Sequence, residues 1–257
     1  MALQTSSIPY IYTSCPHHYL CNYLPVSAGR DTLSRSLLRF KHGLQPDLDG
    51  WIDCALQLLT PLPISADTII VRALHHDETI VPDNQPTSLD LLGEALATRF
   101  QCQYHPNLLQ KSRSTRQSKG LSRHQRRTEL YNIYTLEPPC STVAPPPGST
   151  LAPSTPTATP PGFLIIDDIL TTGTTAQMII RAIRGSYPRS PLRVFTLAKA
   201  GTDTQFNYST PLRGENYQLE QGVGWRVAEE PSDYNIGGGS SPWTGPKLRE
   251  WILANSF

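Results

Sequence analysis

Apolar residues recur at helical spacing in four stretches of the chain. Leu33, Leu37, Leu38 and Phe40 form a broad face over Asp31 to His42 and predict a helix there. Leu48 to Leu59 predicts a second, with Asp49 near its start. Ser88 to Phe100 sets Leu89, Leu92, Leu96 and Phe100 on one stripe, with Ser88 as N-cap. Gly173 to Tyr187 carries Met178, Ile179, Ala182 and Ile183. Short apolar runs lie between: Thr68 to Val71, Ile133 to Leu136, Phe163 to Ile166, and Arg193 to Ala198. Such runs predict strands, those at Thr68 to Val71 and Phe163 to Ile166 buried on both faces. Strands alternating with helices indicate an α/β fold. The expected core is a central, mainly parallel twisted sheet of about five strands, flanked by helices. No internal repeat is visible.

Composition divides the chain further. Of 257 residues, 24 are proline, and nine of these fall in Pro138 to Gly162, which has no charge and many Ser/Thr. Extended, solvated backbone is expected there, read as a loop inserted between two strands of one sheet. Residues 1–30 are expected to form an N-terminal extension and 31–200 the α/β domain. Residues 201–257, with Gly237-Gly238-Gly239, scattered aromatics and one short helix at Lys247 to Leu253, read as an irregular C-terminal extension or hood.

Charge adds one feature. The net charge is +1, which excludes a generally cationic nucleic-acid coat protein. Seven Lys/Arg and no acid lie between Lys111 and Thr128, leaving fifteen cations against 21 acids elsewhere, a net −6. A basic segment on an acidic body suggests a local anion site, although a solvated loop has the same composition. No apolar run approaches the ~18 residues of a transmembrane helix, so none is expected. Met1 to Tyr12 lacks the layout of a secretory signal, and five cysteines make no disulfide framework, so the expected compartment is the cytoplasm.

The chemistry concentrates in Phe163-Leu164-Ile165-Ile166-Asp167-Asp168-Ile169-Leu170-Thr171-Thr172-Gly173-Thr174-Thr175. A buried strand ends in two carboxylates, a Thr/Gly loop follows, and a helix begins. Ligands of open α/β sheets bind at the carboxyl ends of the strands. A helix N-terminus offers unpaired N–H groups and the positive end of a dipole, which suits phosphate. Gly173 permits close backbone approach, and Thr171, Thr172, Thr174 and Thr175 add hydroxyls. Carboxylates next to a phosphate need other partners, and ribose hydroxyls or hydrated Mg²⁺ fit. The stretch predicts a phosphorylated sugar. It is not a Walker A loop, since no Gly-Lys-Thr/Ser ends it.

These 13 residues resemble the signature of type I phosphoribosyltransferases that binds 5-phosphoribosyl-1-pyrophosphate (PRPP). Leu108 to Leu130 resembles the basic segment of ComF-like (competence protein F-like) phosphoribosyltransferases. Arg113, Thr115, Gly120, Leu121, Ser122 and Arg126 fit that pattern, while Ser118 and Glu129 replace a family Gln and Asn. Leu37 to Gly43 is similar to the family's early "LLxxFKxxG" helix end. Ile70 to His75 sits where the family has its pyrophosphate loop, without that loop's two prolines. The resemblance spans about Leu33 to Lys199, minus the proline-rich insertion.

The resemblance implies a type I fold and Mg²⁺-dependent transfer of ribose 5-phosphate from PRPP to a small acceptor such as a nucleobase or amine. It puts Asp167 and Asp168 on the ribose hydroxyls and Thr171 to Thr175, Gly173 included, around the 5-phosphate. The basic segment becomes a mobile loop closing over the diphosphate, with Arg113, Lys119, Arg123 and Arg126 as candidates and Arg72 joining from the strand. Cations aimed at a departing diphosphate stabilise the transition state more than the ground state, and closure excludes water. Two further readings stay open. One is a PRPP- or nucleotide-binding module without transfer. The other is a competence-associated factor that binds nucleic acid through the same cations, although no aromatic residue interleaves them.

Other motifs read plainly. The family's zinc ribbon is represented only by Cys15 and Cys21 around His17 and His18, a spacing unlike a tetrahedral site, and no protein-held metal is expected. His75 and His76 read as a polar strand end rather than a general base. Trp225, Trp243 and Trp251 read as packing anchors, and Asn235 to Gly239 as a turn. Oligomeric state stays open, a homodimer included.

Overall fold

The computed structural model describes residues 3–10, 13–24, 32–82, 86–116, 122–137 and 160–200. The elements in chain order are β1 (Gln4–Tyr10), β2 (Thr13–Tyr23), α1 (Thr32–Lys41), α2 (Asp47–Leu58), β3 (Thr68–Arg72), α3 (Ser88–Phe100), β4 (Gln103–Tyr104), β5 (Leu109–Lys111), α4 (Arg123–Glu129), β6 (Tyr134–Leu136), β7 (Gly162–Leu170), α5 (Thr174–Ser186) and β8 (Leu192–Ala200).

Six strands form one sheet in the order β1-β2-β8-β7-β3-β4. Strands β2, β8, β7, β3 and β4 run parallel, and β1 pairs antiparallel with β2 at the edge. The α/β class with a mainly parallel sheet therefore stands. The N-terminal residues are not an appendage, however: β2 is a full member, with His17 opposite Val194 and Tyr23 opposite Ala200. The second correction concerns the insertion. Strand β6 pairs with β5 in a separate two-stranded sheet, so the chain changes sheets between β6 and β7. Gly162 belongs to β7; residues 138–159 lie outside the described residues.

Side-chain alternation on the buried strands sorts the core into two layers. Ile69, Val71, Phe163, Ile165 and Val194 face one way, against Ile179, Ile180 and Ile183 of α5 and against Leu109 and Tyr134 of the small hairpin. Ile70, Leu164, Ile166, Phe195 and Leu197 face the other way, against Leu37 and Phe40 of α1, Trp51 of α2, and Leu92 and Leu96 of α3. A buried polar knot ties α1 to α2: Arg39 donates to Asp47 at 2.7 Å, Ser36 donates to the same carboxylate, and Trp51 Nε1 donates to Ser36 Oγ at 3.1 Å.

Thr87, not Ser88, caps α3, in a reciprocal box with Asp90. Ser88 lies inside the first turn, and its hydroxyl donates to the Phe40 carbonyl instead. Gly43, at φ +69°, follows α1, so Lys41 stays in the last helical turn. No helix among the described residues is long and apolar enough to cross a membrane.

Candidate functional site

The site grows from a stagger between neighbouring strands. Pairing of β3 with β7 ends at Arg72 opposite Ile166, and Ala73 N–H gives the last bond to the Ile166 carbonyl at 2.9 Å. Pairing with β8 continues to Leu170 opposite Lys199. Asp167 and Asp168 thus keep a strand on one side only. Both lie within β7, whose last residues extend past the predicted strand end at Ile166.

Alternation gives the two acids different surroundings. Asp168 shares its face with Leu164 and Ile166 and meets the end of α1, where Lys41 Nζ lies 3.0 Å from Oδ2. Asp167 shares its face with Ile165, toward the layer holding Tyr134. Burial works against the charge of Asp168, but the Lys41 ammonium and its hydrogen bond prevail and hold that carboxyl below the usual range. Burial and the adjacent Asp168 charge push Asp167 well above it. Lys41 is raised in turn, chiefly by Asp168. Local backbone fixes both side chains: Asp168 N–H donates to Asp167 Oδ1 at 2.9 Å, and Ile169 N–H to Asp168 Oδ1 at 2.7 Å. One carboxylate is anionic and charge-matched, and its neighbour holds a proton more readily.

The loop after β7 passes directly into α5. Gly173 caps α5 at φ +73°, with no side-chain hydrogen bond capping the helix start among the described residues. Thr172 and Thr174 hydroxyls are 2.9 Å apart. Thr171 is exposed, Thr172 and Thr175 are half-buried, and Thr174 is buried. A cleft of about 150 Å³ lies beside this loop, lined by Leu170 to Gly173, Gln177, Lys199 and Ser6 to Pro9 of β1. Gln177 Nε2 donates to the Pro9 carbonyl at 3.1 Å and holds β1 as a wall of that cleft.

The basic segment divides. Arg126 of α4 reaches the loop, with Nη1 3.4 Å from Thr171 Oγ1. Arg113 is taken up by Glu129, at 2.8 Å to the carboxylate and 3.0 Å to the carbonyl. Glu129 is the residue that replaces the family's Asn, so this departure ties down an expected cation. Arg123 opens α4, and Lys119 lies outside the described residues.

Arg72 calls for a correction. It is 2% exposed, and four of its five N–H donors are used inside the protein: Nε on Asp90 at 2.5 Å, Nη1 on Glu78 at 2.7 Å and on the Ala73 carbonyl, and Nη2 on Glu78 at 2.8 Å. Burial disfavours its charge, but these acids outweigh that and raise its pKa. Arg72 does not face a diphosphate; it braces the loop after β3.

Lys111 serves the same loop. Its Nζ donates to the His75 carbonyl and, at 3.2 Å, to that of His76, while burial lowers its pKa to about 8. Thr115 N–H donates to the His76 carbonyl at 2.7 Å. His75 and Asp77 are exposed on the fastened loop, with His76 half-buried between them. Cys15 and Cys21 are buried in separate layers of the core, their thiols on the Leu192 and Leu197 carbonyls. Trp225, Trp243, Trp251, Asn235 to Gly239 and the helix at Lys247 to Leu253 lie outside the described residues.

Sequence reasoning passed over Lys41, although it stands in the quoted Phe40-Lys41-His42-Gly43 segment; its charge gained a role only when α1 ended against β7. It also passed over Ser6, Ser7 and Lys199, because a polar N-terminal hairpin carries no apolar alternation to announce a strand. The chain matches no known protein-family model and no curated protein.

Proposed function

We propose that the protein is a ComF-like type I phosphoribosyltransferase acting on PRPP. The carrying observation is the juxtaposition at the carboxyl end of β7: two adjacent carboxylates, one paired with Lys41, followed at once by a glycine-capped helix start that Arg126 approaches. Asp167 and Asp168 would take the ribose hydroxyls, and Thr171 to Thr175 the 5-phosphate.

In the reaction, the lone pair of an acceptor forms a bond to ribose C1. The C1–O bond to the diphosphate breaks, the diphosphate leaves with that electron pair, and a proton leaves the acceptor. Positive charge grows on the ring as negative charge grows on the leaving group. Arg126, at the edge of the loop, is the described cation best placed to follow that change. Mg²⁺ would neutralise part of the diphosphate charge. The carboxylate oxygens suit it, and since Lys41 already matches Asp168, Asp167, giving up its proton on binding, and the donor's own oxygens would hold the ion. The 150 Å³ cleft walled by β1 offers room for small groups beside the loop.

A second reading has one observation in its favour. Arg72 is enclosed and Arg113 is tied to Glu129, which removes two expected diphosphate contacts. A PRPP-sensing module without transfer would tolerate that loss.

Calorimetry with PRPP and Mg²⁺ tests both. Changing Asp167→Asn together with Asp168→Asn should abolish binding while the protein stays folded; unchanged affinity overturns the ribose role. Release of pyrophosphate with a panel of nucleobases and amines separates transferase from sensor.

A further inference from the structure

We infer that the loop after β3 is a binding site for a borderline divalent ion, Zn²⁺, Ni²⁺ or Co²⁺, with His75 Nε2 and His76 Nδ1 as ligands and Asp77 as the group that orients His75. Nothing in the proposed sugar-phosphate site uses these side chains.

The geometry is specific. His76 Nδ1 and His75 Nε2 are 3.3 Å apart. Two imidazole nitrogens bound to one tetrahedral ion at about 2.0–2.1 Å each stand about 3.3 Å from one another. His75 Nδ1 is 2.5 Å from Asp77 Oδ1. That contact keeps the His75 proton on Nδ1 and leaves Nε2 with its lone pair, the carboxylate–histidine arrangement that supports metal ligation. One candidate ligand atom each from His75, His76 and Asp77 lies within 4.8 Å of the others.

The loop is also held in place. Its carbonyls accept from Lys111 and Thr115, and His75 N–H donates to Glu78 Oε2 at 2.5 Å. Glu78 is clamped by Arg72. The side chains of His75 and Asp77 are 50% and 70% exposed, so an ion enters without unfolding anything. Ligation uses the lone pair of His76 Nδ1 and so places that ring's proton on Nε2. Imidazole favours Zn²⁺, Ni²⁺ and Co²⁺ over Mg²⁺ or Ca²⁺. The remaining positions take water or the oxygen of an anion.

Co²⁺ titration of the tag-free, chelator-stripped full chain, read by visible absorption, tests the site, with Zn²⁺ calorimetry alongside. The expected result is one ion per chain. His75→Ala and His76→Ala should each weaken it more than tenfold, and Asp77→Asn by about tenfold, as for an orienting carboxylate. Unchanged affinity in His76→Ala, or no binding at all, overturns the inference. So does a sulfur-to-cobalt charge-transfer band, which would move the ion to a cysteine. Should a variant fail to fold, paramagnetic broadening in the unaltered chain decides: it must fall on the His75 and His76 rings, and broadening at other histidines alone refutes the site. The readout needs no sugar phosphate, so failure here and failure of the transferase reading are distinguishable.

Discussion

The loops that leave β3 and β7 stand side by side at the carboxyl edge of the sheet, and they are held by opposite means. The loop after β3 is nailed down by buried charge: Arg72 between Glu78 and Asp90, and Lys111 on two carbonyls. That after β7 is held by backbone geometry: Gly173 in a left-handed conformation and a helix starting at Thr174. The first spends its polar groups on itself and presents His75, His76 and Asp77. The second leaves hydroxyls and a helix start for something else. A polar residue in a sequence motif therefore does not reveal whether it serves the ligand or the loop.

Removing the clamp should have the largest effect. Arg72→Met leaves Glu78 and Asp90 buried without their partner and should cost about 3–5 kcal/mol in urea unfolding. A loss below about 1 kcal/mol would mean the β3 loop is not charge-braced. Gly173→Ala comes next. A Cβ there meets nothing closer than Leu170 at 3.9 Å, so the expense is conformational, about 1–2 kcal/mol, with weaker PRPP binding. A neutral result would show that the β7 loop does not depend on that conformation.

Asp167→Asn should act in the opposite direction to Arg72→Met and be the smallest, a gain of about 1 kcal/mol near neutral pH. Its folded pKa is raised, by burial and by Asp168. The stability it contributes is complete below about pH 3.9 and is lost as pH rises through the raised value. The advantage of the Asn variant over the unaltered chain should therefore shrink on acidification, as read from thermal midpoints across that range. An advantage that grows instead would reverse the assignment of charge within the pair.

The buried strands were legible because runs such as Thr68 to Val71 and Phe163 to Ile166 have no polar alternation to be mistaken for anything else. The helix faces followed from Leu33, Leu37 and Phe40 and from Leu92 and Leu96, all buried as their spacing implies. The twin acids and Gly173 were legible as a motif. What escaped was set by tertiary contact. Strand β2, Thr13–Tyr23, carries two histidines and a proline, and it becomes a buried strand only because β8 supplies its partners. Arg72 looked like an anion contact because the acids that enclose it, Glu78 and Asp90, come from a loop and a helix whose approach no local pattern predicts. Glu129 read as a mere departure until it proved to hold Arg113.

The placement of β2 beside β8 also bears on how the chain is made. His17 and Thr196 share a hydrogen bond across 179 residues. On the ribosome, the first hairpin emerges long before the strand it must lie against. Until residues 192–200 appear, its inner edge has no neighbour, and such an edge invites pairing with another nascent chain. Contacts of this sequence separation are slow to close, so lowering the temperature during expression should raise soluble yield more than strengthening either core layer.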